Sequence, residues 1–195
     1  MTAREWLDHG TQLFLAELDR LSDSDLNAGS ALPGWTRRHL VAHVHYNAQA
    51  LGRLLTWART GAEARMYEGT EQRAAEIEAG AALPPERLRD LVHESAQILA
   101  DDMDSLPATK WGASVLTAHG RTVPATEIVW MRAREVAVHS IDLATGLTFS
   151  ALPEQLNTAL ALDVVTKRAG KGEAAELAEW LTGRSAQPPT LGPWL

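Results

Sequence analysis

Residues 123–146 read V-P-A-T-E-I-V-W-M-R-A-R-E-V-A-V-H-S-I-D-L-A-T-G, and this stretch decides the predicted fold. We predict one helix here, with Pro124 in its first turn and Gly146 as the residue that ends it. Most of its side chains are apolar, so the helix must be buried on most sides by other helices. The rest of the chain is therefore expected to pack around it.

The polar side chains of this helix fall on one narrow stripe when successive residues are placed about 100° apart. The stripe consists of Arg132, Glu135, His139 and Asp142. One interpretation is a solvent-facing side stabilised by ion pairs between neighbouring members, and the helix alone favours it because polar stripes usually face water. The other is that Glu135 and His139, one turn apart, are two ligands of one metal ion.

Composition limits the class of protein. The 195 residues fit one domain of ordinary size with at most a small appendage, and 45% hydrophobic residues are enough for a core. The net charge of −7 gives no indication of nucleic acid or an anionic membrane surface as a partner, and no apolar run reaches membrane-spanning length. The N-terminus has no apolar signal core, so we expect a cytoplasmic protein.

Cysteine is absent from the chain. This excludes a disulfide scaffold, thiolate metal sites and a cysteine nucleophile from the protein itself. Any thiol chemistry must therefore use a thiol supplied from outside.

Helical periodicity predicts three more long helices, at residues 2–21, 35–59 and 86–106. Thr36 is expected to cap the second of these, and Ile98 to lie on the buried face of the third. Shorter helices are predicted at 154–169 and 173–181, and residues 66–79 are expected to form a short charged helix or an ordered loop. Four long helices joined by loops predict an all-α four-helix bundle. We assign the bundle to residues 1–150, and a short C-terminal helical extension with a Pro-rich tail, in which Trp194 and Leu195 fold back, to 151–195.

Two short β-prone pieces, 114–117 and 122–123, interrupt the helical pattern on either side of His119-Gly120. They predict a two-stranded turn that leads directly into the helix of Glu135. His119 and Arg121 would then project near the mouth of a site on that helix, although an ordinary exposed turn fits the pattern equally well.

Three histidines lie on the second long helix. Helical geometry places His39 on the side, His45 away from the apolar face and His43 at the edge of the buried stripe. His43 is therefore best placed to face another helix, either as a hydrogen-bonded core residue or as a metal ligand.

Packing of the second helix against the helix of Glu135 would bring His43, Glu135 and His139 together. Two imidazoles and one carboxylate are a suitable ligand set for Zn²⁺, and the same set can bind other divalent first-row metals. Three protein ligands leave one position open for water, as in a hydrolase, or for the thiolate of an external thiol. A polar cluster in a non-catalytic ligand-binding bundle is the remaining interpretation.

Three separated stretches are similar to the mycothiol-dependent maleylpyruvate isomerases, a branch of the DinB-like four-helix bundles. They are L-P-G-W-T-R-R-H-L-V-A-H-V-H-Y-N-A at 32–48, T-A-H-G-R-T-V-P-A at 117–125 and W-M-R-A-R-E-V-A-V-H-S-I-D-L at 130–143. The similarity runs from about Thr11 to Leu156, and the closing P-P-T-L-G-P-W-L resembles the family's ending. The zinc ligands of that family are the histidine of V-A-H and the glutamate and histidine of R-E-x-x-x-H. The resemblance assigns them to His43, Glu135 and His139, the three residues that packing also selects.

The resemblance implies a zinc- and mycothiol-dependent cis–trans isomerase that converts maleylpyruvate, or a similar cis-enone acid, to fumarylpyruvate in gentisate-type aromatic catabolism. It implies that a thiolate adds to the conjugated double bond, that the substrate rotates about the resulting single bond, and that the thiol then leaves. The two substrate carboxylates need cationic partners. Arg121 is the first prediction and Arg132 the second, since Arg132 is also placed to pair with Glu135.

The chain departs from the longer isomerases after about Leu156, where they carry a fuller α/β domain that helps to bind mycothiol. The first alternative is therefore a zinc-dependent mycothiol S-transferase that acts on other electrophiles. A zinc hydrolase that needs no thiol is the second. We expect a small-molecule substrate and a low-molecular-weight thiol as partners. The protein is expected to be a monomer or a homodimer, with Trp57 and Trp180 as contact residues.

Overall fold

Helices make up most of the computed structural model, which describes residues 1–190. The helices are α1 (Ala3–Arg20), α2 (Asp23–Leu26), α3 (Arg37–Thr60), α4 (Thr70–Ala81), α5 (Pro85–Asp104), α6 (Glu127–Asp142), α7 (Glu154–Arg168) and α8 (Ala174–Leu181). Between α5 and α6, strands β1 (Ser114–Leu116) and β2 (Thr122–Pro124) pair antiparallel, with Val115 opposite Val123. The predicted all-α class, with a β-turn insertion and a helical extension, is confirmed. The expected folding back of Trp194 and Leu195 lies outside the described residues.

The four long helices α1, α3, α5 and α6 form the bundle, in which α1 packs on α6 and α3 packs on both α5 and α6. The short helix α4 covers another side of α3. These elements belong to one compact unit, Met1–Thr148, and a second unit that begins at Phe149 contains α7 and α8. None of the described helices is both long and apolar enough to cross a membrane.

Leucine side chains dominate the core of the bundle. Those less than 2% exposed include Leu18, Leu40, Leu51, Leu54, Leu55 and Leu88. Burial of each such side chain contributes about 1.5–3 kcal/mol to stability. Because helices cover α3 on several sides, its residues from Leu40 to His45 are all buried, and polar side chains among them are held inside the bundle.

The ends of α3 follow the sequence signals. Thr36 precedes the helix as its N-cap, as predicted, and its hydroxyl lies 2.6 Å from Nδ1 of His39. Gly61 ends the helix with φ 80°, a left-handed conformation that glycine adopts without steric cost.

Glycine also sets the distance between α1 and α6. A Cβ atom built on Gly10 would lie 2.8 Å from Cγ2 of Val136 and 3.3 Å from the backbone nitrogen of Ala137. The two helices can therefore approach this closely only because residue 10 has no side chain.

The start and end of α6 differ from the prediction. Pro124 lies in β2 opposite Ser114, so the helix begins only at Glu127. The hairpin uses the residues that the sequence assigned to the first turn. The helix ends at Asp142, and the chain then turns through Ala144 with φ 54° and Gly146 with φ 100°.

Two predicted orientations are wrong. His45 is 3% exposed, with Nδ1 2.9 Å from the carbonyl oxygen of Leu91, because α5 covers the face of α3 that was expected to be polar. Ile98 is 61% exposed, because the buried stripe of α5 runs through Ser95 and Leu99 and leaves Ile98 to one side.

Candidate metal centre

Three polar side chains from two helices meet inside the bundle. His43 comes from α3, and Glu135 and His139 come from α6, one turn apart. Nε2 of His43 lies 2.5 Å from Oε1 of Glu135, and Nε2 of His139 lies 3.3 Å from the same oxygen. One potential ligand atom from each residue lies within 4.8 Å of the others. The packing of two helices predicted from the sequence therefore brings these three donors to one point.

The polar stripe of α6 does not face water. Arg132 is 2%, Glu135 5% and His139 7% exposed. The interpretation of this stripe as a solvent-facing side is therefore wrong, because α1 and α3 both pack on α6 and leave few of its residues exposed. The predicted pairing of His139 with Asp142 is present, with Nδ1 of the imidazole 2.8 Å from Oδ2 of the carboxylate.

The three side chains perturb one another's protonation. Burial acts to raise the pKa of Glu135, but the charge of His43 and the hydrogen bonds from both histidines outweigh it and lower that pKa well below its usual value. Burial acts to lower the pKa of His139, but hydrogen bonds to Asp142 and Glu135 outweigh it and raise that pKa to about 9. Burial lowers the pKa of His43, against the opposing effect of Glu135. The carboxylate thus lies between two imidazoles whose pKa values are shifted in opposite directions.

The donor set fits a divalent first-row metal ion. Two imidazole nitrogens and one carboxylate oxygen are a common ligand set of catalytic zinc, which keeps a further position for water or substrate. Within residues 1–190, three ionisable side chains lie close enough together to bind one metal ion, namely His43, Glu135 and His139. The three donors are buried and close enough together to bind such an ion.

Both a sequence comparison and a structure comparison relate this chain to one protein family. The model of the mycothiol maleylpyruvate isomerase N-terminal domain matches residues 7–144. The chain belongs to the mycothiol-dependent maleylpyruvate isomerase family. A crystal structure of the mycothiol-dependent maleylpyruvate isomerase is 40% identical with a TM-score of 0.81, over 85% of this chain and 70% of that one. The structure of a histidine-to-alanine mutant of that isomerase gives the same values.

A more distant likeness identifies the fold alone. YfiT from Bacillus subtilis, described as a probable metal-dependent hydrolase with an unusual four-helix bundle topology, is 17% identical with a TM-score of 0.55. The likeness covers 73% of this chain and 85% of YfiT. No curated protein matches the chain. The predicted family and its DinB-like bundle are thus confirmed, and the isomerase relatives are enzymes.

The two arginines predicted to bind substrate occupy different places in this member of the isomerase family. Arg132 is buried, and its Nη1 donates hydrogen bonds of 2.8 Å to the carbonyl oxygen of Val44 and to Oδ1 of Asn47. Burial lowers its pKa to about 10. Arg121 is exposed at the end of the hairpin, and among residues 1–190 no hydrogen bond or ion pair joins its side chain to the three donors. Their assignment as substrate-binding residues stays a prediction.

Other side chains around the donors were not predicted to take part. Nη2 of Arg73, on α4, lies 3.2 Å from Nδ1 of His43, and the ring centre of Trp35 lies 5.5 Å from that of the same histidine. No spacing pattern in the sequence indicates the position of Arg73, because this position depends on how α4 packs on α3. Trp35 stands in the L-P-G-W-T motif immediately before α3, which was a signal for its location but not for this contact.

Proposed function

We propose that this protein is a zinc- and mycothiol-dependent cis–trans isomerase that converts maleylpyruvate, or a similar cis-enone acid, to fumarylpyruvate. Family membership supports the reaction class. The observation that carries the proposal is the convergence of two imidazoles and one carboxylate inside the bundle. A role in gentisate-type aromatic catabolism belongs to the same proposal.

We assign the metal to His43, Glu135 and His139, with Zn²⁺ as the first choice and another divalent ion as the second. Zinc held by these residues would keep a coordinated thiol in its deprotonated, nucleophilic form. The carboxylate of Asp142 accepts the Nδ1 hydrogen of His139 and so directs Nε2 of that ring towards the ligand position. Hydrogen bonds from Arg132 to α3 hold the two ligand-bearing helices at a fixed distance.

The sulfur must come from a low-molecular-weight thiol, because the chain contains no cysteine. Reversible addition of a thiol turns the double bond of the substrate into a single bond, about which it rotates before the same thiol leaves. Burial of the three donors keeps bulk water away from this chemistry and strengthens electrostatic interactions there. Arg121 and Arg132 remain the proposed partners of the substrate carboxylates.

The decisive experiment incubates the zinc-loaded protein with maleylpyruvate, with and without mycothiol. We expect fumarylpyruvate to form only when the thiol is present, and the free thiol concentration to be unchanged at the end. The His43→Ala and Glu135→Ala variants should lose both bound zinc and activity. Hydrolytic cleavage of the substrate without thiol would instead indicate a hydrolase, and unchanged metal content in both variants would remove the proposed metal centre.

The alternative is a zinc-dependent mycothiol S-transferase that acts on other electrophiles. The donor set favours it equally, because a metal-bound thiolate attacks an electrophile whether or not the thiol later leaves. A stable thioether product with stoichiometric loss of thiol would identify this activity. A cytoplasmic location and a monomeric or homodimeric state stay predictions for either enzyme.

A further inference from the structure

Arg73 places a positive charge beside the proposed metal centre. It projects from α4, and its Nη2 lies 3.2 Å from Nδ1 of His43, the ring nitrogen that faces away from Glu135. The charge of Arg73 also acts on the hydroxyl of Tyr67, where it opposes the rise in pKa that burial causes. Both Arg73 and Tyr67 are only partly buried, whereas the three donors are almost fully buried. The pair therefore lies at the border between the site and solvent.

The two histidines have outer partners of opposite kinds. Nδ1 of His139 faces the carboxylate of Asp142, the usual acceptor behind a metal-bound imidazole. Nδ1 of His43 faces a guanidinium, which has five N–H donors and no acceptor. Arg73 therefore cannot receive a ring N–H from His43 in the way that Asp142 does from His139. Arg73 can only donate to Nδ1 of His43, and this contact leaves further N–H groups of the guanidinium for another acceptor.

Charge balance points to an anion as that acceptor. The carboxylates of Glu135 and Asp142 would offset the charge of a divalent ion bound between the helices. Arg132 is 2% exposed and its hydrogen bonds go to α3, so it is less accessible to an entering ligand than the partly buried Arg73. In residues 1–190, Arg73 has no carboxylate partner of its own. It is thus a positive charge next to the donors that an entering ligand can reach.

We propose that Arg73, together with the hydroxyl of Tyr67, binds a carboxylate group of the substrate at the edge of the metal centre. A planar guanidinium matches a carboxylate through two parallel hydrogen bonds, and this geometry fixes orientation as well as affinity. The substrate class, a small cis-dicarboxylic acid, rests on the proposed function. Anion binding itself does not, because it can be measured without thiol and without turnover.

The test is calorimetric titration of the zinc-loaded protein with maleate in the absence of any thiol. Maleate carries two cis carboxylates and serves as the probe. We expect wild-type protein to bind it and Arg73→Met to bind it about 10- to 100-fold more weakly, the range for a hydrogen-bonded charged group. Arg73→Lys should recover part of the loss, and Tyr67→Phe should show a smaller one. Arg87→Met, which removes an equal charge from an exposed position on α5, is the matched control.

Measuring the zinc affinity of the same variants distinguishes two roles of Arg73. The first is binding of the anion, and the second is positioning of His43 as a zinc ligand. We expect Arg73→Met to bind zinc within about threefold of wild type, a difference below 1 kcal/mol. A loss of zinc affinity as large as the loss of maleate affinity would overturn the proposal, because Arg73 would then only position the histidine. No maleate binding by wild type, or equal binding by wild type and Arg73→Met, would also overturn it.

Failure of the proposed anion site and failure of the proposed reaction give different results. If Arg73-dependent maleate binding is found and maleylpyruvate is not isomerised, the proposed reaction is wrong and the anion site stands. If maleylpyruvate is isomerised with an unchanged KM in Arg73→Met, the reaction stands and the anion site is wrong.

Discussion

Nδ1 of His139 lies 2.8 Å from a carboxylate oxygen of Asp142, three residues further along α6. This contact fixes the ring so that its other nitrogen faces Glu135. We expect Asp142→Asn to lower zinc affinity about 10- to 100-fold, the usual effect of removing such an outer partner. Competition for zinc with a chromophoric chelator measures the change.

Asp19→Asn is the matched control for that measurement. Asp19 forms a similar pair with His93, 2.9 Å away, but on the exposed side of α1 and α5. The zinc affinity of the Asp19→Asn variant should equal that of wild type. An equal loss in both variants would mean that the effect of Asp142 does not come from its contact with His139.

Stability of the metal-free protein should depend on pH through His139. Its pKa rises from 6.5 to about 9 on folding, so the folded state binds a proton that the unfolded state lacks between these values. This contribution is fully present below pH 6.5 and is lost as pH rises through 9, with a total of up to about 3 kcal/mol. The pKa values of His43 and Glu135 are lowered on folding, so these two groups change the stability only below pH 6.5.

Urea unfolding of chelator-treated protein at pH 6.5 and pH 9 checks this expectation. The free energy of unfolding of wild type should be lower at pH 9 than at pH 6.5. That of the His139→Gln variant should not show this difference. A wild-type protein that is equally stable at both would contradict the raised pKa.

Zinc should stabilise the folded protein by mass action. At a free concentration 100 times the dissociation constant, we expect about 2.7 kcal/mol of added stability, seen as a higher melting temperature. Glu135→Gln removes the charged donor between the two imidazoles, and its melting temperature should respond little to zinc. The same increase in both proteins would place the bound ion elsewhere.

Gly10 should tolerate no side chain. Gly10→Ala puts a methyl group 2.8 Å from Val136, against the helix that carries Glu135, and we expect it to cost about 1–3 kcal/mol of stability. Gly52→Ala is the control, because its Cβ would lie an ordinary 3.7 Å from Asp102. Alanine also favours helix by up to about 1 kcal/mol, so this control should be neutral or stabilising. Denaturant unfolding of both variants provides the comparison.

Arg132 is expected to be structurally essential. Arg132→Met removes two hydrogen bonds to α3 and leaves the charge of buried Glu135 less compensated, at a cost of about 3–5 kcal/mol. The exposed Arg121→Met variant should stay within about 0.5 kcal/mol of wild type. An Arg132→Met protein that keeps its stability and shows only a higher KM would support the substrate-binding role instead.

The sequence predicted the three donors because each depends on a regular pattern. Helical periodicity gives the relation between Glu135 and His139, and it places His43 at the edge of an apolar stripe. Long helices with clear caps, such as α3 after Thr36, leave little freedom in the direction of their side chains. The bundle itself follows from four such helices.

What escaped prediction depends on contacts between elements distant in the chain. His45 is buried because α5 covers a second face of α3, which periodicity along α3 alone does not reveal. Pro124 pairs in a hairpin whose partner strand begins ten residues earlier, and this tertiary pairing overrides its tendency to start a helix. The position of Arg73 beside His43 depends on the packing of a short helix with a weak apolar pattern.

His43 and Glu135 are 92 positions apart in the chain, yet their side chains touch. An ion held by both would close a loop of that length, and such a closure removes conformational entropy from the unfolded chain. In a protein without cysteine, this bond would serve as a reversible cross-link between α3 and α6. Backbone amides of these two helices should then exchange their hydrogens together, and more slowly, once the ion is bound.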